Sequence, residues 1–225
     1  MADMSIGNTI DSISLQNIGT FMLWGDIDEE SSYYACEFLI KSNIIFDSNE
    51  NVTLFINSGG GAVSDGQAII DVMETSNINI ATRAIGQIAS MAVSIFIAGT
   101  PGMRVMSKNC EVMTHQFTSY LEGKAHELVA VRQSHDNLED RFIRHFIKHT
   151  KMSERNVRDI LLGPSDRYLT AQECLKYGIC DAVTDPWDFA GNHAKSAKTA
   201  RKKPVRKTTK TTKTTKTANK TANKT

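Results

Sequence analysis

The chain has 225 residues, 40% of them hydrophobic and 23% charged, with a formal net charge of +1; this supports one sizeable core and excludes both a short peptide module and a fully disordered chain. The near-neutral total conceals an asymmetry. Twelve of the 26 Lys and Arg lie from Gly191 to Thr225 with no Asp or Glu among them, so the preceding 190 residues carry 14 basic against 25 acidic side chains, an acidic body at −11 joined to a basic tail at +12. Four cysteines (Cys36, Cys110, Cys174, Cys180) show no CxxC or Cys/His spacing, which points away from a zinc site or a disulfide framework and toward a reduced, cytoplasmic setting. The N-terminus lacks the basic start and apolar core of a secretory signal. The longest apolar stretch, Met91 to Ala98, is too short to span a bilayer, so no membrane association is expected.

In chain order, residues 1 to about 17 read as poorly ordered, Thr20 to Gly25 as a first strand, and Asp26, Asp28, Glu29 and Glu30 as an acidic turn. A helix over Ser31 to Asn43 places Cys36, Phe38, Leu39 and Ile40 at helical spacing, and Asn51 to Asn57 is a buried strand. Ser58 to Gly61 breaks the pattern. A helix over Val63 to Thr75, with Ile69, Ile70 and Met73 inward, leads to a strand over Ile78 to Ile85 and a buried helix over Ile88 to Ala98. Met103 to Ser107 and Glu111 to His115 read as short strands. This alternation is that of an α/β fold, a parallel sheet with crossover helices. Residues 124 to 150 form the longest helical pattern, with Leu128, Val131, Leu138, Phe142 and Phe146 in a narrow apolar stripe interrupted by His135; it suits an arm that meets a partner subunit, or a solvent-facing core helix. Ser153 to Leu162 is a shorter helix capped by Ser153, Leu169 to Tyr177 is helical, and Ile179 to Val183 is a last strand. Past Trp187 the Lys, Thr, Ala and Asn repeats of residues 191–225 cannot build a core.

Four segments carry chemistry. Ser90, in GQIASMA between a strand and an apolar helix, would sit at a helix N-terminus, where unpaired N–H groups favour a developing oxyanion; the plainer alternative is a helix cap. His115 ends a strand and could present its ring at a sheet edge, as a base or as a satisfied structural residue. His126, His135, His145 and His149 all fall in the charged long helix, where solvated or interface roles are expected, and His193 belongs to the tail. Asp166 lies in a turn after Pro164, where aspartate is a common turn former. The INSGGGA run lacks the GK[ST] ending of a P-loop and dinucleotide-loop spacing, but its backbone could supply an oxyanion donor.

Together INSGGGAV, GQIASMA, MTHQF and SDRYLTAQECLKYGICD, in this order over roughly residues 20 to 186, resemble the Clp protease proteolytic subunit family of serine peptidases. The resemblance implies a crotonase-like α/β domain over 20–190 with a protruding handle helix at 124 to 150. It implies Ser90 as nucleophile, His115 as general base and then acid, Asp166 as the orienting carboxylate, and the backbone N–H groups of Gly61 and Met91 as the oxyanion hole. No cofactor and no metal is implied. The implied partners are polypeptide substrates, other copies in heptameric rings, singly or as two rings joined through the handles, and an AAA+ unfoldase.

Several residues depart from the family pattern. Gly59 stands where proline is usual and Ala92 where glycine is; about two extra residues fall near Leu162 to Ser165, which leaves Asp159 as a second candidate for the carboxylate. Thr53 and Thr75 replace aromatics that line the ATPase-docking pocket, while Phe55 keeps its character, and the apolar N-terminal segment of the family is not recognisable in residues 1–19. The tail has no counterpart. Its lysines could contact a polyanion in a salt-dependent way, bind an acidic protein surface, or serve only to solubilise. Two other readings stay open: a virus-encoded relative that processes assembly proteins without an ATPase, and a non-catalytic assembly or nucleic-acid-binding protein that uses the tail.

Overall fold

The computed structural model describes residues 14–117 and 124–184, with the side chains of 125–127 excepted; the expectations for residues 1–13 and for the basic tail lie outside the described residues. The first element is a 3₁₀ turn at Gln16–Ile18, closed by Gly19 in the left-handed region. β1 (Thr20–Ile27) then runs into α1 (Glu29–Ile45). The acidic turn belongs to that helix. Asp28 is its N-cap, accepting from Ser31 N–H while the Ser31 hydroxyl receives the Asp28 N–H, and Glu29 and Glu30 lie at the positive end of the dipole. Ala35, Phe38 and Leu39 are buried, whereas Ile40 turns outward.

β2 (Asn51–Gly61) alternates buried and exposed residues along its whole length, with Val52, Leu54, Ile56, Ser58 and Gly60 inward. The glycine run therefore does not end the strand, as its composition suggested. It extends it through two irregularities, between Trp24 and Asp26 against β1 and between Ile56 and Ser58 against β3. α2 (Val63–Glu74) buries Ile69, Ile70 and Met73 as expected. β3 (Asn79–Ala89) continues four residues past the expected end at Ile85, so the buried helix is shorter than its apolar composition implied: α3 is Met91–Ile97, all seven residues buried. Ile88 and Ala89, apolar enough for either element, are held in the sheet by pairing on both sides, to Ser58 and to Val112 and Met113.

The remaining strands are β4 (Arg104–Ser107), β5 (Glu111–Thr114), β6 (Arg167–Leu169) and β7 (Ala182–Thr184). Leu169 is thus a strand residue, and the helix expected from it, α6, is Ala171–Tyr177, begun by a Thr170/Glu173 capping box. The sheet order is β1-β2-β3-β4-β7, parallel throughout, with β3 forked: its first half pairs with β4 and its second half with β5. Among the described strands only β5–β6 is antiparallel. This mostly parallel sheet with crossover helices is the expected α/β architecture.

α4 (Ala125–His149) is the longest helix, and between Leu128 and Arg141 it has no buried residue, whereas Phe142, Ile143 and Phe146 enter the core. That half-docked course fits the arm expected there. Of the solvated or interface roles expected for them, the solvated one does not hold for His145 and His149: His145 meets the carbonyl of Ser94 at 2.9 Å and His149 meets Glu74 at 2.8 Å. α5 (Glu154–Asn156), capped by Ser153, passes into a π turn at Val157–Leu161. A π turn accommodates an extra residue, and this one immediately precedes Leu162 to Ser165, where the extra residues are expected.

Candidate active site

Ser90 joins β3 to α3 with φ 51° and ψ −120°, the single non-glycine residue at positive φ among the described residues. Such a conformation costs about 1–3 kcal/mol and is the geometry of a serine on a sharp strand-to-helix turn. The hydroxyl makes no capping bond, so Ser90 occupies a cap position without acting as a cap. Its N–H donates to Met113 O at 2.9 Å, which ties the turn to β5. The next N–H, of Met91, is a first-turn donor with no acceptor inside its helix.

The fork in β3 sets the partners. Parallel register places Ala89 beside Met113, so Ser90 and the residues that follow Met113 leave the sheet together. His115, half-buried, is the first residue past β5 and lines the same narrow cavity as Ser90, together with Val63, Met91, Phe142 and Leu161. The cavity holds about 30 Å³, space for one or two waters. Phe117 closes one side, stacked on Phe142 with centroids 6.1 Å apart and edge-on to His135 at 5.7 Å.

Asp166 is exposed and does not line the cavity. It directly precedes β6, whose antiparallel register against β5 pairs Met113 with Tyr168 and Thr114 with Arg167; continued by one position, that register sets Asp166 opposite His115. Asp159 is turned elsewhere, 3.5 Å from Arg155 on an exposed helical face. Among the described residues no hydrogen bond joins Ser90 to His115 or His115 to Asp166. Beyond the β5–β6 pairing, Gln116 N–H to Gly163 O, at 3.2 Å, helps tie the His115 and Asp166 segments.

The glycine run reaches this turn from the other side. A Cβ on Gly60 would lie 2.8 Å from both Ala89 O and Ser90 Cβ, and Gly60 has φ +96°. At Gly61 a Cβ would meet Ile27 O at 2.1 Å. The two glycines thus wedge between the edge strand and the serine turn, where no side chain fits. The sequence singled out Gly61; Gly60, closer to Ser90, was hidden because three consecutive glycines look alike until the register is known. Asn57 was also missed: its Oδ1 accepts from Gln87 N–H at 3.0 Å and bridges the irregularity between β2 and β3.

No helix among the described residues is long and apolar enough to cross a membrane. A family model described as Clp protease matches residues 9–186, most of the chain and all of the elements described above. The carboxyl ends of three parallel strands converge at Ser90, where open α/β sheets carry their sites. With its mostly parallel sheet, consistent with a crotonase-like fold, the chain belongs to the Clp protease family.

Proposed function

We propose that the chain is a serine endopeptidase in which Ser90 is the nucleophile, His115 the general base and acid, and Asp166 the carboxylate that orients the imidazole. The observation that carries this reading is the strained Ser90 turn sharing one cavity with His115. His115 takes the hydroxyl proton as Ser90 Oγ attacks a peptide carbonyl, and the tetrahedral oxyanion is received by the N–H groups of Gly61 and Met91. The imidazolium returns the proton to the leaving amine; water then hydrolyses the acyl-enzyme by the same proton path in reverse. Apolar walls at Val63, Met91, Phe142 and Leu161 favour an apolar substrate side chain beside the cleaved bond.

Assembly belongs to the same reading. Catalytic hydrogen bonds are often long before substrate binds. The proposed working form is an oligomeric chamber that admits polypeptides. A fluorophosphonate probe should label Ser90, and labelling should vanish in Ser90→Ala; labelling that persists in the variant places the nucleophile elsewhere.

A second reading, a Clp-like protease that works without an ATPase, is favoured by Thr75. Its hydroxyl donates to Asp71 O at 2.8 Å and closes the end of α2, so the position offers a satisfied polar group where an apolar anchor would be needed. Adding an AAA+ unfoldase should then leave degradation of a folded substrate unchanged, and strong stimulation would return the ATPase-dependent version.

A further inference from the structure

Glu74 at the end of α2 and His145 and His149 on successive turns of α4 form, among the described residues, a group of three side chains with metal-ligating atoms within 4.8 Å of one another. His149 Nε2 lies 2.8 Å from Glu74 Oε1, and His145 Nδ1 lies 3.6 Å from the same oxygen. Ligand atoms around a tetrahedral ion with bonds of about 2.0–2.1 Å are about 3.3 Å apart, a value these two separations bracket. Histidines four apart share one helical face, the spacing of helix-borne zinc ligands.

The orientation of His145 is the second observation. Its Nε2 meets Ser94 O at 2.9 Å, and since a carbonyl only accepts, Nε2 carries the proton. In the neutral ring Nδ1 then presents a lone pair toward the Glu74 carboxylate, 3.6 Å away, a facing that a cation between them resolves. A ring anchored through one N–H to a backbone carbonyl while the other nitrogen binds is the usual arrangement of a metal-ligating histidine. Lys148 donates to the other carboxylate oxygen, Oε2, at 2.7 Å, and Oε1 accepts from His149 Nε2, a proton that a bound cation would displace; Arg141, Arg144 and Asp71 line the same groove. The Arg104 guanidinium, paired with Asp181, also donates to the His149 carbonyl and fixes the last turn of α4.

We infer that Glu74, His145 and His149 bind one divalent transition-metal ion, zinc by the character of the two-nitrogen, one-oxygen donor set, with water as fourth ligand. The ion would clamp α2 to α4 and, through Ser94, to α3, the helix that Ser90 begins. This inference stands independently of the peptidase reading, because it concerns binding alone.

The test uses the full-length chain without a polyhistidine tag, stripped with a chelator and titrated at pH 7.5 with Zn²⁺ against a chromophoric competitor. One Zn²⁺ per chain is expected, and Co²⁺ in its place should give the visible bands of a tetrahedral site. Glu74→Gln and His149→Asn should each weaken binding by about 100-fold or more, beyond what loss of an outer partner does, while His135→Ala should leave it unchanged. Circular dichroism checks that the variants fold. X-ray absorption on the wild-type zinc form should show two imidazole nitrogens whether or not they do. Absence of stoichiometric binding at micromolar zinc, binding that survives both substitutions, or a spectrum without two imidazoles overturns the proposal.

Discussion

At Ser90 the backbone holds φ 51° and ψ −120° although the residue has a Cβ. The neighbours impose this: Ser90 N–H is taken by Met113 O, and Gly60 and α3 hold the turn on either side. Ser90→Gly should therefore unfold at a free energy about 1 kcal/mol higher than Ser90→Ala, because glycine reaches this region without strain, while both lose peptidase activity. Urea denaturation of the two variants measures the difference. Gly60→Ala should cost more than an ordinary surface change and lower kcat far more than stability, because its Cβ would fall 2.8 Å from Ser90 Cβ and displace the proposed nucleophile. The carboxylate assignment separates at this scale too. Asp166→Asn should cut kcat by several orders of magnitude, and Asp159→Asn, which loses an exposed contact to Arg155, should leave it nearly unchanged.

Among elements, the fork in β3 does most to build the site, since one strand must satisfy β4 at Thr82–Ala84 and β5 at Gln87–Ala89. The far end of β4 is secured by Arg104, buried, whose guanidinium meets Asp181; the Asp181 carboxylate also accepts the N–H groups of Gly102 and Arg104 at 2.7 and 3.0 Å. Burial would raise the Asp181 pKa, but these donors outweigh it and hold the carboxyl below its usual range. Its stabilisation is thus present above the unfolded value near 3.8 and is lost as pH falls further. Asp181→Asn should cost about 3 kcal/mol by leaving a buried guanidinium unpaired, read as a shift of the urea midpoint. Cys110, Cys174 and Cys180 are free and buried, close enough to act on one another electrostatically. Burial pushes Cys110 and Cys180 up to about 12 and raises Cys174 as well. The folded protein therefore holds these protons to higher pH than the unfolded chain, and stability should fall as pH rises above about 9. Iodoacetamide at pH 8 should leave the three unmodified until the protein is unfolded.

For the whole molecule, the −11 body and the +12 tail make separate predictions. Truncation at Gly191 should preserve peptidase activity and shift the protein to an acidic isoelectric point, and any retention on an anionic column at low salt should leave with the tail. A truncated chain that loses activity would show that the tail serves the active form.

Much was legible along the chain because periodicity is a local property. Ile69, Ile70 and Met73 face inward in α2, and Ser153 caps its helix, as their spacing indicated. The misread boundaries are where tertiary pairing overrides composition: the glycines of Ser58–Gly61 stay in β2, Ile88 and Ala89 belong to β3, and Leu169 pairs with Val112. Ser90 and His115 could be named from their motifs, but neither motif contains the other. Their shared cavity depends on the register of Ala89 with Met113, a pairing across 24 residues that no local preference encodes. The Glu74, His145 and His149 cluster was invisible for the same reason: α4 shows two histidines on one face, and only the packing of α4 against α2 supplies the carboxylate. The sequence by itself determined the elements, the charge division and the motifs of the family, because these are written in neighbours along the chain; the tertiary structure alone decided which distant side chains meet, because that is set by strand register and helix docking.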